Sequence, residues 1–173
     1  EKVLESSKHM AAIIQNLSGY SRSNANDAYK NVSIPERLDS SIEMALLASY
    51  SADVVVEKHY AEQPSIKAKP EEIQQIFVNI ITNAVHAMNG KGRLIISSEN
   101  IDGNNVVRIQ DNGPGIKPEH RAKIFDPFFT TKEQGEGTGL GLNVVYKMVE
   151  KYGGDIRLES EVGVGTPFII TLP

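Results

Sequence analysis

A chain of 173 residues with 40% hydrophobic content holds enough apolar material for one good core and not for two. Its net charge of −4 argues against a general nucleic-acid binder, whose surface would be basic, so no nucleic-acid partner is expected. The absence of cysteine excludes disulfide scaffolds, thiolate metal sites and cysteine nucleophiles, and no apolar run approaches the roughly 18 residues of a membrane span.

Residues 1–22 carry Val3, Met10, Ile13, Ile14, Leu17 and Tyr20 at helical spacing, which predicts an amphipathic helix suited to oligomerisation. The polar stretch SNANDAYKN (23–31) has no period and reads as a linker, leaving 32–173 as the main domain. There, Ser33 and Glu36 stand at capping-box spacing around Pro35, a helix start whose buried face would be Leu38, Ile42, Ala45 and Leu46. The β-branched run DVVVEKHY (53–60) predicts a strand. Pro70, followed by Glu71 and Glu72, opens a long helix to about Met88. GRLIISSEN and NVVRIQD flank the turn DGNN and predict a hairpin. A further helix runs from a glycine-rich stretch to Tyr152 and is stopped by Gly153-Gly154. DIRLESE and TPFIITLP then give two strands, with Gly163 and Gly165 in the turn. The order α-β-α-β-β-α-β-β implies an α/β two-layer sandwich: one mixed sheet of about five strands with helices on a single face, preceded by the N-terminal helix.

Four stretches carry chemistry. GEGTGLGL (135–142) places four glycines directly before a helix, leaving its first N–H groups uncovered, an arrangement that suits phosphate. A Walker loop is excluded because no Gly-Lys-Ser/Thr triplet occurs, and a Rossmann turn because leucines stand at 140 and 142. On the helix from Pro70, Ile73, Ile76, Phe77, Ile80, Ile81, Ala84 and Ala87 form the apolar face, while Gln75, Asn79, Asn83 and His86 share a neighbouring stripe. Two asparagines aligned in mid-helix suit either a solvated edge or a magnesium–phosphate site, in which an amide oxygen ligates the metal and His86 donates to phosphate. DNGPGI (111–116) turns sharply after a strand and leaves Asp111 at its end, where a carboxylate can accept from an exocyclic amine; it is also an ordinary turn sequence. IFDPFFTTKEQGEG (124–137) sets three phenylalanines before a polar, glycine-rich run, the composition of a lid pinned by aromatics, with Lys132 able to swing toward a polyphosphate.

In this order, the stretches make residues of about 32–173 resemble the ATP-binding catalytic domain of sensor histidine kinases. NIITNAVHAM is similar to the family's N box, DNGPGI to its first glycine box, IFDPFFTTK to its F box, GEGTGLGL to its second glycine box, and GVGTPFIITLP to its closing strand. The resemblance implies the Bergerat-type fold shared with gyrase, heat-shock chaperone and mismatch-repair ATPases, with ATP and Mg²⁺ as ligands. It implies that Asp111 binds the adenine amine in a turn formed by Gly113, Gly115 and Ile116, assisted through water by Thr166. Asn79 and Asn83 would hold the phosphates, Asn83 also the Mg²⁺ that they carry. Phe125, Thr130, Thr131 and Lys132 would belong to the lid. Gly137, Thr138, Gly139, Leu140, Gly141 and Leu142 would meet the phosphates, chiefly through backbone N–H groups.

The implied activity is that of a protein histidine kinase, passing the γ-phosphate of ATP to a histidine on a dimerisation helix. A homodimer through those helices would then relay the phosphoryl group to an aspartate of a response regulator receiver domain. The domain is expected in the cytoplasm, with or without a membrane anchor elsewhere in the full-length protein. Residues 1–22, ending in QNLSGYSR, resemble the second helix of the dimerisation hairpin. His9 is followed by Met-Ala-Ala-Ile, without the acidic residue and proline of the family's acceptor. The acceptor is therefore expected to be absent, and the chain to be a fragment unable to phosphorylate itself. His59 and His120 read as surface residues, and Lys69 stands where the family often has an aspartate cap. Hydrolytic relatives carry a glutamate one turn before the magnesium asparagine; here that position is Asn79, which cannot act as a general base. This disfavours the alternative of an ATPase switch, while the dimerisation-type helix over 1–22 argues against a serine-kinase or anti-sigma regulator of the same fold.

Overall fold

The computed structural model describes residues 28–49, 53–132 and 137–173; the helix expected over 1–22 and the linker up to residue 27 lie outside the described residues. The main sheet contains five strands: β2 (Asp53–Tyr60), β4 (Lys91–Ile101), β5 (Asn104–Asp111), β6 (Asp155–Leu158) and β7 (Thr166–Leu172), in the order β2-β4-β5-β7-β6. β2 and β4 are parallel and every other pair is antiparallel. The parallel pair needs a crossover, which helix α2 (Pro70–Ala87) supplies. The β4–β5 hairpin closes through Asp102 and Gly103, both at positive φ (51° and 85°), the conformation that an Asp-Gly pair favours.

Alternation along these strands decides what faces the helices. Leu94 and Ile96 on β4, Val107 and Ile109 on β5, Phe168, Ile170 and Leu172 on β7, and Ile156 on β6 are all buried on the helix side. With a side-chain period of 2, Asp111 and Thr166 must continue that same face, and they are paired in register at the end of β5 and the start of β7. The polar residues at these strand ends are therefore placed by the same alternation that builds the core.

Helices α1 (Ile34–Ala48), α2 and α4 (Gly141–Lys151) cover that face, and the short α3 (Pro118–Arg121) follows β5. On α2 the buried side is Ile73, Ile76, Phe77, Ile80, Ile81, Ala84 and Val85; Ala87, expected among them, is exposed at the helix end. On α4 the buried residues are Val145, Met148 and Val149, with Leu142 and Tyr152 packed at the margin. On α1, Leu38, Ile42 and Ala45 are buried as expected and Leu46 is half-buried.

Two local features differ from the sequence reading, and a third, at Lys69, follows from the departure noted there. Lys30 and Asn31, read as linker, begin strand β1 (Lys30–Val32), which pairs antiparallel with an unanticipated β3 (Ile66–Ala68) in a separate two-stranded sheet. Ser33 precedes α1 in extended conformation but forms no side-chain cap, so the Ser33/Glu36 capping box is not made. Lys69 likewise caps α2 with no side chain; instead its N–H donates to the Tyr152 hydroxyl at 3.0 Å. That hydroxyl donates in turn to Glu72 (2.6 Å), whose two oxygens also accept from Lys151 Nζ at 2.8 Å each. Burial alone would raise the Glu72 pKa, but the Lys151 and Tyr152 hydrogen bonds outweigh it and hold the carboxyl below its ordinary value. The start of α2 is thereby bolted to the end of α4.

Candidate nucleotide-binding site

A cleft of about 1150 Å³ opens between α2, the β5–α3 loop and the segment before α4, large enough for a nucleoside triphosphate by the scale of small-molecule sites. One end is built on the sheet. Asp111 is 3% exposed; its Oδ1 accepts the Gly113 N–H at 2.8 Å, and the Thr166 backbone also hydrogen-bonds its carboxylate. Burial pushes its pKa above the ordinary value despite those bonds, so one acidic, acceptor-rich group is held at a buried end of the cleft. Gly165, at φ +133°, packs so closely that a Cβ would run into the Asp111 carbonyl. Gly115, at φ +74°, meets the Glu161 carbonyl in the same way. These glycines serve contact between the chain's own loops.

Ser160, which the sequence reading passed over, fixes this end. Its hydroxyl donates to the Gly165 carbonyl (3.1 Å) and accepts the Ile116 N–H (2.7 Å). With that one proton spent, the 3.2 Å contact to Thr166 Oγ1 has Thr166 as the donor, leaving the threonine oxygen as an acceptor toward the cleft. Its only sequence signal was a serine near the Gly-Thr pair.

The cleft's long wall is the α2 stripe. Asn79, Thr82, Asn83 and His86 all border it, whereas Gln75 does not. Asn79 Nδ2 donates to the Gly141 carbonyl at 3.4 Å, tying α2 to the first residue of α4. At the far end Gly137, Thr138, Gly139, Gly141 and Leu142 line the cleft. Leu140 does not, and its N–H donates to Thr138 Oγ1 at 3.3 Å, which departs from the role expected of that N–H. Gly139, at φ +65°, lies where a Cβ would strike the Phe128 backbone, and the Phe128 N–H donates to the Gly139 carbonyl at 2.9 Å. Phe128 itself sits at φ 66°.

The lid's base divides into anchors and lining. Phe125 does not border the cleft; its ring lies 5.6 Å from that of Tyr146, and its carbonyl accepts from Asn143 Nδ2 (2.9 Å). Gly113 is buried beneath Asp111 and shapes the turn without lining the cleft. Phe129, Thr130, Thr131 and Lys132 do line it. Lys132 Nζ lies 3.0 Å from His86 Nδ1, so the ammonium donates to a ring nitrogen carrying its lone pair. His120 also lines the cleft and meets the Phe129 ring edge-on at 5.5 Å, which corrects its reading as a surface residue. His59 is exposed on β2.

The family described as "Histidine kinase-, DNA gyrase B-, and HSP90-like ATPase" matches residues 68–173. The chain is 34% identical over 173 residues to the signal transduction histidine-protein kinase AtoS of Escherichia coli (strain K12), covering 99% of this chain and 28% of that protein. Among solved structures it is similar to a mycobacterial sensor histidine kinase, MprB (TM-score 0.75, 28% identity, 84% of this chain and 97% of that one). It is also similar to full-length ShkA in complex with AMPPNP (TM-score 0.79, 26% identity, 98% and 36%). The curated relatives are much longer: the chain spans 15% of one and 31% of another.

Proposed function

The chain belongs to the family of histidine kinase-, DNA gyrase B- and HSP90-like ATPases and carries the nucleotide-binding catalytic domain of a histidine kinase; from this we propose that its cleft binds ATP with Mg²⁺ and presents the γ-phosphate to a histidine on a dimerisation helix. The observation that carries the reading is the opposition of two chemistries across one cleft. A buried carboxylate, Asp111, stands at the sheet end, and an amide stripe and the start of α4 stand at the other.

In this reading the Asp111 oxygen not engaged with Gly113 accepts the exocyclic amine of adenine, and Thr166 accepts from a bridging water. Asn79 and Asn83 contact the phosphates, Lys132 leaves His86 to neutralise them, and the N–H groups at the start of α4 face them. Among the described residues no three His, Asp or Glu side chains cluster as a metal site. A cation here would be held by the Asn83 amide oxygen together with phosphate oxygens and water, a donor set that fits Mg²⁺ arriving with its nucleotide. When bound, it supplies charge neutralisation along the phosphates. The attacking imidazole nitrogen comes from another element: its bond to phosphorus forms in line as the bond to the ADP oxygen breaks. A homodimer through dimerisation helices, and a response regulator receiver domain as final acceptor, complete the proposed relay. Among the described residues no helix is long and apolar enough to cross a membrane.

The test supplies γ-labelled ATP, Mg²⁺ and a separate helical hairpin bearing an acceptor histidine. Label on the hairpin, preserved on an alkaline gel and lost with Asn83→Ala, is the expected result. Free phosphate released faster than the hairpin is labelled would refute the kinase reading in favour of an ATPase switch.

A further inference from the structure

We propose that His120 is the residue that reads the nucleotide's sugar, an inference that rests on the ATP reading of the cleft. Three observations carry it. His120 lines the same cleft as Asp111 and Asn83. Its imidazole is half-buried and held edge-on against Phe129 at 5.5 Å, so its position is fixed by packing. Among the described residues no protein group hydrogen-bonds its ring nitrogens, so a polar side chain stands beside the cleft with both nitrogens unclaimed by protein groups.

Its place along the cleft selects the ligand group. The base end is set by Asp111, Gly115 and Ile116, and α3 begins directly after that loop. The phosphate end is set by Asn79, Asn83 and Gly141. Phe129, the partner of His120, leads straight into Thr130 and Lys132 on the phosphate side. His120 therefore stands on the short helix that follows the base-end loop, and its ring contact with Phe129 links that wall of the cleft to the base of the lid. The middle of a nucleoside triphosphate is its ribose. A ribose hydroxyl is both donor and acceptor, and a neutral imidazole offers one nitrogen of each kind, so the pair is matched in either tautomer. Phenylalanine at this position would keep the edge contact with Phe129 and lose both nitrogens.

The experiment compares the unaltered chain with His120→Phe and His120→Ala. Each is titrated calorimetrically in Mg²⁺ with ATP, 2′-deoxy-ATP and 3′-deoxy-ATP, and melting temperatures are measured alongside. A net hydrogen bond corresponds to about a 2- to 12-fold change in affinity. The expected result is that both variants lose about that factor for ATP. For the analogue lacking the contacted hydroxyl, the unaltered chain is already weak by the same factor and the variants lose nothing further. Equal losses for all three nucleotides would show that His120 only shapes the cleft, and no loss for ATP would show that it touches nothing; either overturns the proposal. Failure of the unaltered chain to bind ATP at all would remove the nucleotide reading first, and this inference with it.

Discussion

Replacing Asp111 with asparagine separates the cost of the site from its use, because the two effects have opposite signs. The carboxylate is buried at 3% exposure, and burial raises its pKa above the ordinary aspartate value. A raised folded-state pKa means that the fold favours the neutral form: this stabilisation is complete below the unfolded pKa and is lost as pH rises through the folded one. Near neutral pH the charge is thus a burden on the empty domain, and a neutral side chain of the same shape relieves it. Asp111→Asn should melt at or above the wild-type temperature at pH 7.

Binding responds the other way. Oδ1 is committed to the Gly113 N–H at 2.8 Å, so an asparagine that keeps this bond must turn its NH₂ toward the adenine amine, donor against donor. Flipping the amide restores an acceptor for adenine but sets NH₂ against the Gly113 N–H. A carboxylate alone serves both. A hydrogen bond to a charged group contributes about 1.5–3 kcal/mol, so the substitution should weaken ATP binding roughly 10- to 150-fold. Calorimetric titration with Mg²⁺-ATP and a thermal melt of the empty protein test both halves. Unchanged affinity refutes the adenine assignment; lower affinity together with a lower melting temperature refutes the separation of roles.

Three further outcomes are expected. Gly139→Ala forces a side chain into φ +65° and against the Phe128 backbone, a strain of ~2 kcal/mol or more that should lower Tm by roughly 4–8 °C in a domain of this size, measured calorimetrically. Glu72 has its pKa depressed below 4.5, so its stabilisation is present above that value and lost as pH falls through the lowered one; Glu72→Gln should cost about 1–3 kcal/mol at pH 7 in urea unfolding and flatten the loss of stability below pH 5. Asn83→Ala should weaken ATP binding in Mg²⁺ while leaving ADP binding in chelator nearly unchanged, read by paired titrations.

How much of this was legible in the sequence depends on the length of the signal. The five strands of the main sheet and the two long helices carry patterns sustained over whole elements, and Asp111 could be placed because the turn DNGPGI directly follows the strand VVRIQ. KNV and IKA carry no pattern in three residues each; β1 and β3 exist because Val32, Ile66 and Ala68 close over the core, a tertiary event. The glycines were legible as close approaches, but not what approaches: Gly139 admits Phe128, and Gly165 admits the Asp111 backbone. His120 stands in PEHR, a stretch with the composition of a solvated turn, and only the fold of α3 over the lid base brings it to the cleft.

That distribution of side chains also bears on why this cleft suits transfer better than hydrolysis. Activating a water for attack on phosphorus requires a general base beside the terminal phosphate. Among the described residues bordering the cleft, Asp111 is the one carboxylate, and it lies at the base end with an oxygen engaged by Gly113. Asn79, where hydrolytic relatives place glutamate, has no basic lone pair, and its amide is turned to the Gly141 carbonyl. His86 is the basic side chain on the stripe, but its Nδ1 is engaged by the Lys132 ammonium at 3.0 Å. In the proposed reading, water beside the terminal phosphate is therefore expected to stay a poor nucleophile. An imidazole brought in from another helix needs no such base, since its nitrogen lone pair attacks directly. In the proposed reading, the same residues that would leave the γ-phosphate without a base to activate water would leave it available to a histidine.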